Sequence, residues 1–300
     1  MEDVTDAAFR FIIARHGKPD VMFTEFTSAD GLVSEGRPRV ARDLAYDESE
    51  RPIVAQLFTS QPEHMKQAAQ IAQDMGFDGV DINMGCPDKA IEKQGCGASL
   101  IKNHALATEL IDAAKEGAPR LPISIKTRIG YNKNELEPWL TTLLKTKPAA
   151  VTLHLRTRKE MSDVPAHWDA ASDAVSLRDK LNSDSLIIGN GDIASRAEAQ
   201  QKAGETGVDG VMIGRGIYGN PWFFNQKKQH VSSAERLSAL IEHARLFEKL
   251  APHKNFSVMK KHFKAYVNGW AGAKELRMEL MECENADEVT KIIQRHLPGN

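Results

Sequence analysis

The stretch IVAQLFTSQPEHMKQAAQIAQDMGFDGVDINMGCP, Ile53 to Pro87, decides the fold class. Two short apolar runs, 53–58 and 79–84, flank a longer amphipathic run. The amphipathic run follows Ser60, a residue type suited to an N-cap, and stops at Gly76, which suits the left-handed position past a helix end. Strands that are apolar throughout, rather than alternating, belong to a parallel sheet buried on both faces. The same strand–helix alternation recurs along the chain. Further strands are expected at 21–26, 123–129, 149–155, 186–189 and 208–214. Helices are expected at 5–15, 104–116, 136–145, 168–181 and 195–206. Such alternation implies an α/β fold.

Seven strands are counted where a closed (β/α)8 barrel needs eight. The expected architecture is a TIM-type α/β barrel that lacks its first strand, because the helix at 5–15 has no strand ahead of it. Either that strand precedes Met1 or the barrel is open at one seam. A doubly wound open sheet is the rival, but no Gly-x-Gly-x-x-Gly turn follows the first strand. After about Gln226 only helical periodicity remains. Two domains are therefore expected, a catalytic barrel over residues 1–226 and a helical domain over 227–300.

Charge separates these two parts. The 300-residue chain has 39 Lys and Arg against 41 Asp and Glu. Segment 227–300 holds 13 basic and 9 acidic residues, so it is net +4 and the remainder −6. Within it Lys254, Lys260, Lys261, Lys264, Lys274 and Arg277 face Glu275 alone between positions 253 and 277. The near-neutral total excludes a uniformly basic nucleic-acid coat but allows a local basic face. No uncharged run of 18 apolar residues is present, so no membrane span is expected. Cys86, Cys96 and Cys283 are an odd count without a Cys-x-x-Cys pair. That argues for a reducing cytoplasm, without a disulfide framework or a metal site.

A barrel active site lies at the C-terminal ends of the strands. Here those ends carry Glu25, Gln56, Asn83, Lys126 with Arg128, His154, Asn190, and Gly214 with Arg215. Seven polar or glycine endings in succession make a functional face. The last two strands run into GNGDI (189–193) and IGRGIYGNPW (213–222). In this fold such loops bind phosphate through backbone N–H groups, so a mononucleotide cofactor fits. Arg215 adds a two-pronged donor. Cys86 follows a strand end in INMGCP and suits a nucleophile or a general acid. An unperturbed thiol, with a pKa of about 8.5, is mostly protonated at pH 7 and can donate. Cys96, between glycines, reads as a small packing residue, and Cys283 as incidental. Lys126 at the end of a buried strand needs an anionic partner, because an unpaired buried ammonium is costly.

MEDVTDAAFR, INMGCP, ISIKTRIG, LHLRTR, NGDI and MIGRGIYGNPW, in this order, resemble the tRNA-dihydrouridine synthase family. The resemblance implies a flavin-binding barrel followed by a helical domain that grips tRNA. It implies that Gln56, Lys126 and His154 contact the FMN ring, and that Asn190, Gly191, Asp192, Gly214 and Arg215 hold the FMN phosphate. Met1 is similar to the last residue of a first strand that lends backbone to the flavin. Cys86 would protonate C5 of a flipped-out uridine while reduced flavin delivers hydride to C6. Asn83 and Arg128 would hold the uracil. Lys260, Lys261 and Lys264 would meet tRNA phosphates, and NADPH would reload the flavin. The protein is expected to work as a cytoplasmic monomer. One departure is Leu155, where family members commonly have glycine. A flavin barrel acting on a free pyrimidine is the alternative enzyme reading. A tRNA-binding protein without flavin chemistry is the non-enzyme one.

Overall fold

A computed structural model describes residues 3–228 and 230–296. Seven strands form one sheet in chain order, with β1 (Met22–Ser28) at one edge and β7 (Gly210–Met212) at the other. Between them lie β2 (Ile53–Phe58), β3 (Gly79–Met84), β4 (Ile123–Arg128), β5 (Ala150–His154) and β6 (Leu186–Asn190). Strands β2 to β7 pair in parallel. The sequence expectation holds for this seven-stranded barrel architecture. β3 is buried along its whole length, as a strand covered on both faces must be.

The helices of eight or more residues are α1 (Ala7–Gly17), α2 (Pro62–Asp74), α3 (His104–Gly117), α4 (Leu136–Lys145), α5 (Asp169–Lys180) and α6 (Arg196–Thr206), then α7 (Ser233–Leu250), α8 (Met259–Tyr266), α9 (Ala273–Leu280) and α10 (Ala286–His296). The start of α2 corrects one expectation. Its cap is Gln61, which makes no side-chain cap bond, and Pro62 opens the helix. Proline is favoured there because its missing N–H belongs to the unpaired first turn. The end of α2 is as expected, with Gly76 at φ +80°. Helices α2 and α3 pack against each other, and the buried residues of their faces include the small Ala68, Ala69 and Ala72 of α2 and Ala107 and Ala114 of α3. They approach closely at Gly117, where a Cβ would lie 2.0 Å from the Lys66 carbonyl oxygen.

The chain divides into two compact units that do not follow chain order. One comprises residues 26–41 and 52–215 and contains most of the sheet. The other gathers residues 1–25, 42–51 and 216–300. Its core joins Ala8 of α1 and Trp222 to Leu240 and Phe247 of α7, Phe263 and Tyr266 of α8, Leu280 of α9 and Ile293 of α10. Packing thus places α1 and segment 42–51 with the helical tail, whereas the sequence pattern changes only near residue 226. Within this unit Arg10 ties α1 to segment 42–51. It is 2% exposed, its Nε donates to Glu50 Oε2 at 2.6 Å, and further donors reach the carbonyls of Thr5 and Ala45. A buried ion pair persists only when its remaining donors are satisfied in this way. Among the described residues no helix is long and apolar enough to cross a membrane.

Candidate active site

Strand register brings the polar strand ends into rows. Asn83 lies beside Lys126, and Arg128 beside His154, which lies beside Asn190 and then Met212. Lys126 Nζ donates to Asn190 Oδ1 at 3.1 Å, and Asn190 Nδ2 donates to the Met212 carbonyl at 2.8 Å. Burial, reinforced by the Arg128 charge, lowers the Lys126 pKa to about 8, with Asp81 pulling the other way.

Asp81 was not among the sequence candidates, although an acid inside an apolar strand was a legible signal. It is wholly buried and accepts hydrogen bonds from Ser124 Oγ at 2.6 Å and Gln56 Nε2 at 2.7 Å. Burial raises its pKa to about 6, against the pull of those two bonds and Lys126. The network continues in one direction. Gln56 Oε1 accepts from Asn83 Nδ2 at 3.2 Å, and Asn83 Oδ1 accepts from the backbone N–H of Gly85 and Cys86. Asp81 therefore fixes both side-chain amides, and through them the start of the Cys86 loop.

That loop is held from several sides. The Cys86 carbonyl accepts from Ala98 N at 2.9 Å. Gly97, at φ +61°, packs so closely that a Cβ there would lie 2.6 Å from the Cys86 oxygen. Arg128, 5% exposed, donates Nε to the Gly85 carbonyl and Nη1 to the carbonyls of Thr157 and Met161. Arg158 grips Glu92 through Nε and Nη2, and Nη2 also reaches the Pro87 carbonyl. Cys96 is buried, and burial pushes its thiol up to about 11, which leaves it inert at neutral pH. Cys283 lies in the helical core, with its thiol likewise up at about 11.

Beyond β5, Arg156 is buried and touches both His154 and Asp192. Sequence reasoning passed over Arg156 within LHLRTR, where only its burial singles it out. Burial, then the charges of Lys126, Arg128, Arg156 and Arg215, hold the His154 pKa down to about 2. Asp192 sits at φ +55°. Burial works to raise its pKa, but the Ala166 amide, Arg156 and Arg215 overcome this and keep it low. Two glycines, Gly189 near the end of β6 and Gly191 just after it, have packing reasons. A Cβ on Gly189 would meet the Trp168 ring at 2.6 Å, and one on Gly191 would meet Ala166 Cβ at 2.7 Å. Gly214 differs, because a Cβ there would face open space, with Asn190 Nδ2 nearest at 4.0 Å.

One compact unit thus holds Gln56, Asn83, Cys86, Lys126, Arg128, His154, Asn190, Gly191, Asp192, Gly214 and Arg215. Its donor set is cationic: Lys126, Arg128, Arg156 and Arg215 act on one histidine. Open space beside Gly214, next to a 63% exposed Arg215, completes a cradle that fits an anionic mononucleotide such as FMN. Lys260, Lys261 and Lys264 belong to the other unit, where Lys261 and Lys264 are exposed and Lys260 is half-buried. Lys254 and Lys261 there are tied to Asp3, and Lys254 also to Glu25 at 2.7 Å, so part of the basic face is spent internally. Met1 lies outside the described residues.

Fold and site together define a parallel α/β barrel with a cluster of cationic side chains at its strand ends. The family model described as "Dihydrouridine synthase (Dus)" matches residues 1–298. A relative named "Probable tRNA-dihydrouridine synthase 2" from Bacillus subtilis is 41% identical over 98% of this chain and 91% of its own. A "Probable tRNA-dihydrouridine synthase" from Staphylococcus epidermidis is 40% identical over 98% and 90%. Among solved structures, the old yellow enzyme homologue from Zymomonas mobilis aligns with TM-score 0.50 at 13% identity, over 74% of this chain and 81% of that one. Histamine dehydrogenase from Rhizobium sp. 4-9 aligns with TM-score 0.58 at 12% identity, over 81% of this chain, which spans 46% of that one. These two likenesses concern the fold. The chain belongs to the dihydrouridine synthase family.

Proposed function

We propose that this protein is an FMN-dependent oxidoreductase that reduces the C5=C6 bond of uridines in tRNA to dihydrouridine, with NADPH as the reductant. The observation that carries the reading is the juxtaposition of the Cys86 loop with the cations Lys126 and Arg128 and the neutral His154 inside one unit. The names of the relatives at about 40% identity support tRNA as the substrate.

When bound, FMN supplies the hydride equivalent for C6. Gln56, Lys126 and His154 hold its ring, and Asn190, Gly191, Asp192, Gly214 and Arg215 hold its phosphate end. Cys86 donates its thiol proton to C5. Lys126 and Arg128 both interact electrostatically with Cys86, so the thiolate left behind is stabilised. Asn83 and Arg128 orient the base by fixing the loop that carries Cys86. The uridine must leave the stack, at a cost of a few kcal/mol. Phosphate contacts from Lys260, Lys261 and Lys264 offset that cost.

The deciding experiment has two readouts. The purified full chain should show a flavin absorption spectrum that NADPH bleaches. Transfer RNA from cells lacking the gene should lose dihydrouridine at one or more positions, and the gene should restore it. Unaltered tRNA in the deletion strain would overturn the substrate, and a colourless protein that takes up no FMN would overturn the cofactor.

A further inference from the structure

The Arg156 guanidinium makes three different hydrogen bonds. Nε donates to the Val164 carbonyl at 2.6 Å, Nη1 lies 3.2 Å from His154 Nε2, and Nη2 donates to Asp192 Oδ2. A guanidinium has no acceptor and keeps its proton in proteins. His154 Nε2 is therefore the acceptor, which leaves the ring neutral with its proton on Nδ1. An imidazolium would set donor against donor at 3.2 Å.

We propose that Arg156 is a positioning residue that fixes His154 as the neutral Nδ1–H tautomer and ties that ring to the Asp192 loop. One guanidinium then sets both the group facing the cofactor ring and the loop facing its phosphate. This division into ring and phosphate ends rests on the flavin reading above, whereas the tautomer does not.

The packing agrees with a single rigid cluster. A Cβ on Gly191 would lie at van der Waals distance, 3.7 Å, from both Arg156 Nη1 and His154 Cδ2, so the loop packs directly on the pair, while Ala166 Cβ at 2.7 Å and a φ of +144° are what require glycine there. The Ala166 amide donates to the same Asp192 oxygen that Arg156 grips, and Arg215 takes the other oxygen at 3.0 Å. These bonds hold a non-glycine residue at φ +55°, a conformation that needs such support. The charged groups acting most strongly on His154 are Lys126, Arg128, Arg156 and Arg215, all cations, and burial acts in the same sense. His154 thus stays a one-proton donor from about pH 5 to 8, where an ordinary histidine titrates. It cannot deliver a catalytic proton, so that role is left to Cys86.

Histidine-selective 15N labelling of the full chain, with His154 assigned by its loss in His154→Asn, reads the tautomer directly. The expected result is one Nδ1–H species, unchanged between about pH 5 and 8. Arg156→Met should release a second tautomer and weaken FMN binding about tenfold, as loss of a charge-assisted bond does. Arg156→Lys keeps a cation for Asp192. It should recover most of the FMN affinity without restoring the single tautomer. An Nε2–H or charged ring in the unmodified protein would overturn the proposal, as would a single Nδ1–H species persisting in Arg156→Met. If Arg156→Met does not fold, the measurements on the unmodified protein and Arg156→Lys still decide. Failure of the unmodified protein to bind FMN would overturn the flavin reading instead, and the tautomer is measured either way.

Discussion

Lys126 shows how a single residue sets the working conditions of the site. Its ammonium donates to Asn190, and burial lowers its pKa from 10.5 to about 8. As pH rises through about 8, the cofactor-free protein loses this cation. FMN affinity, followed by fluorescence quenching, should therefore fall above about pH 8, and Lys126→Met should abolish that dependence. The variant should bind about 10–100-fold more weakly, as expected for a bond to a charged group. Cys86→Ala has the opposite signature. It should bind FMN like the parent and form no dihydrouridine, and turnover equal to the parent would remove the thiol from the mechanism. The candidate residues at strand ends were legible because polar residues interrupt apolar runs there. Asp81 and Arg156 were harder to see, because their roles depend on which neighbours the register supplies.

Elements were more legible than their ends. β2 and β3 have the expected limits, whereas β7 contracts to Gly210–Met212. A strand at the sheet edge is paired on one side only, so fewer backbone hydrogen bonds hold its ends. Local sequence does not encode which strand is an edge. The α2–α3 contact was not legible at all, since Gly117 looks like an ordinary helix end. Gly117→Ala should cost about 1–3 kcal/mol in urea unfolding, because a methyl cannot fit against the Lys66 carbonyl. The loop element carrying Cys86 depends on another distant partner, Arg158. Removing its carboxylate with Glu92→Gln should cost about 1.5–3 kcal/mol of local stability. Faster amide exchange across residues 86–97, with lower turnover and intact FMN binding, is the expected result.

The whole molecule revises the charge argument. The unit containing the basic tail also contains the acidic segments 1–25 and 42–51, and as a unit it holds 18 basic and 18 acidic residues. The +4 of the tail is thus matched by its own folding partners, and a basic face survives only where lysines stay clear of them. Lys260 and Lys264 meet that condition better than Lys261, which reaches Asp3. Replacing Lys260, Lys261 and Lys264 with Glu should weaken tRNA binding in a gel shift. It should also flatten the salt dependence by about one unit of slope for each phosphate no longer neutralised. NADPH oxidation should be unchanged. Equal affinity would remove this face as the RNA platform.

The union of α1 with the helical core also has a consequence for synthesis. Ala8 and Phe9 leave the ribosome early, but Leu240, Phe247 and Phe263, which share their unit, follow more than two hundred residues later. At about 5–20 residues per second, the first helix waits on the order of ten seconds or more for its core. The sheet unit, whose segments lie between residues 26 and 215, can complete itself in the meantime. The apolar residues of that first segment therefore lack their core partners throughout that interval, and this is the stage at which a chaperone that shields apolar segments would matter most.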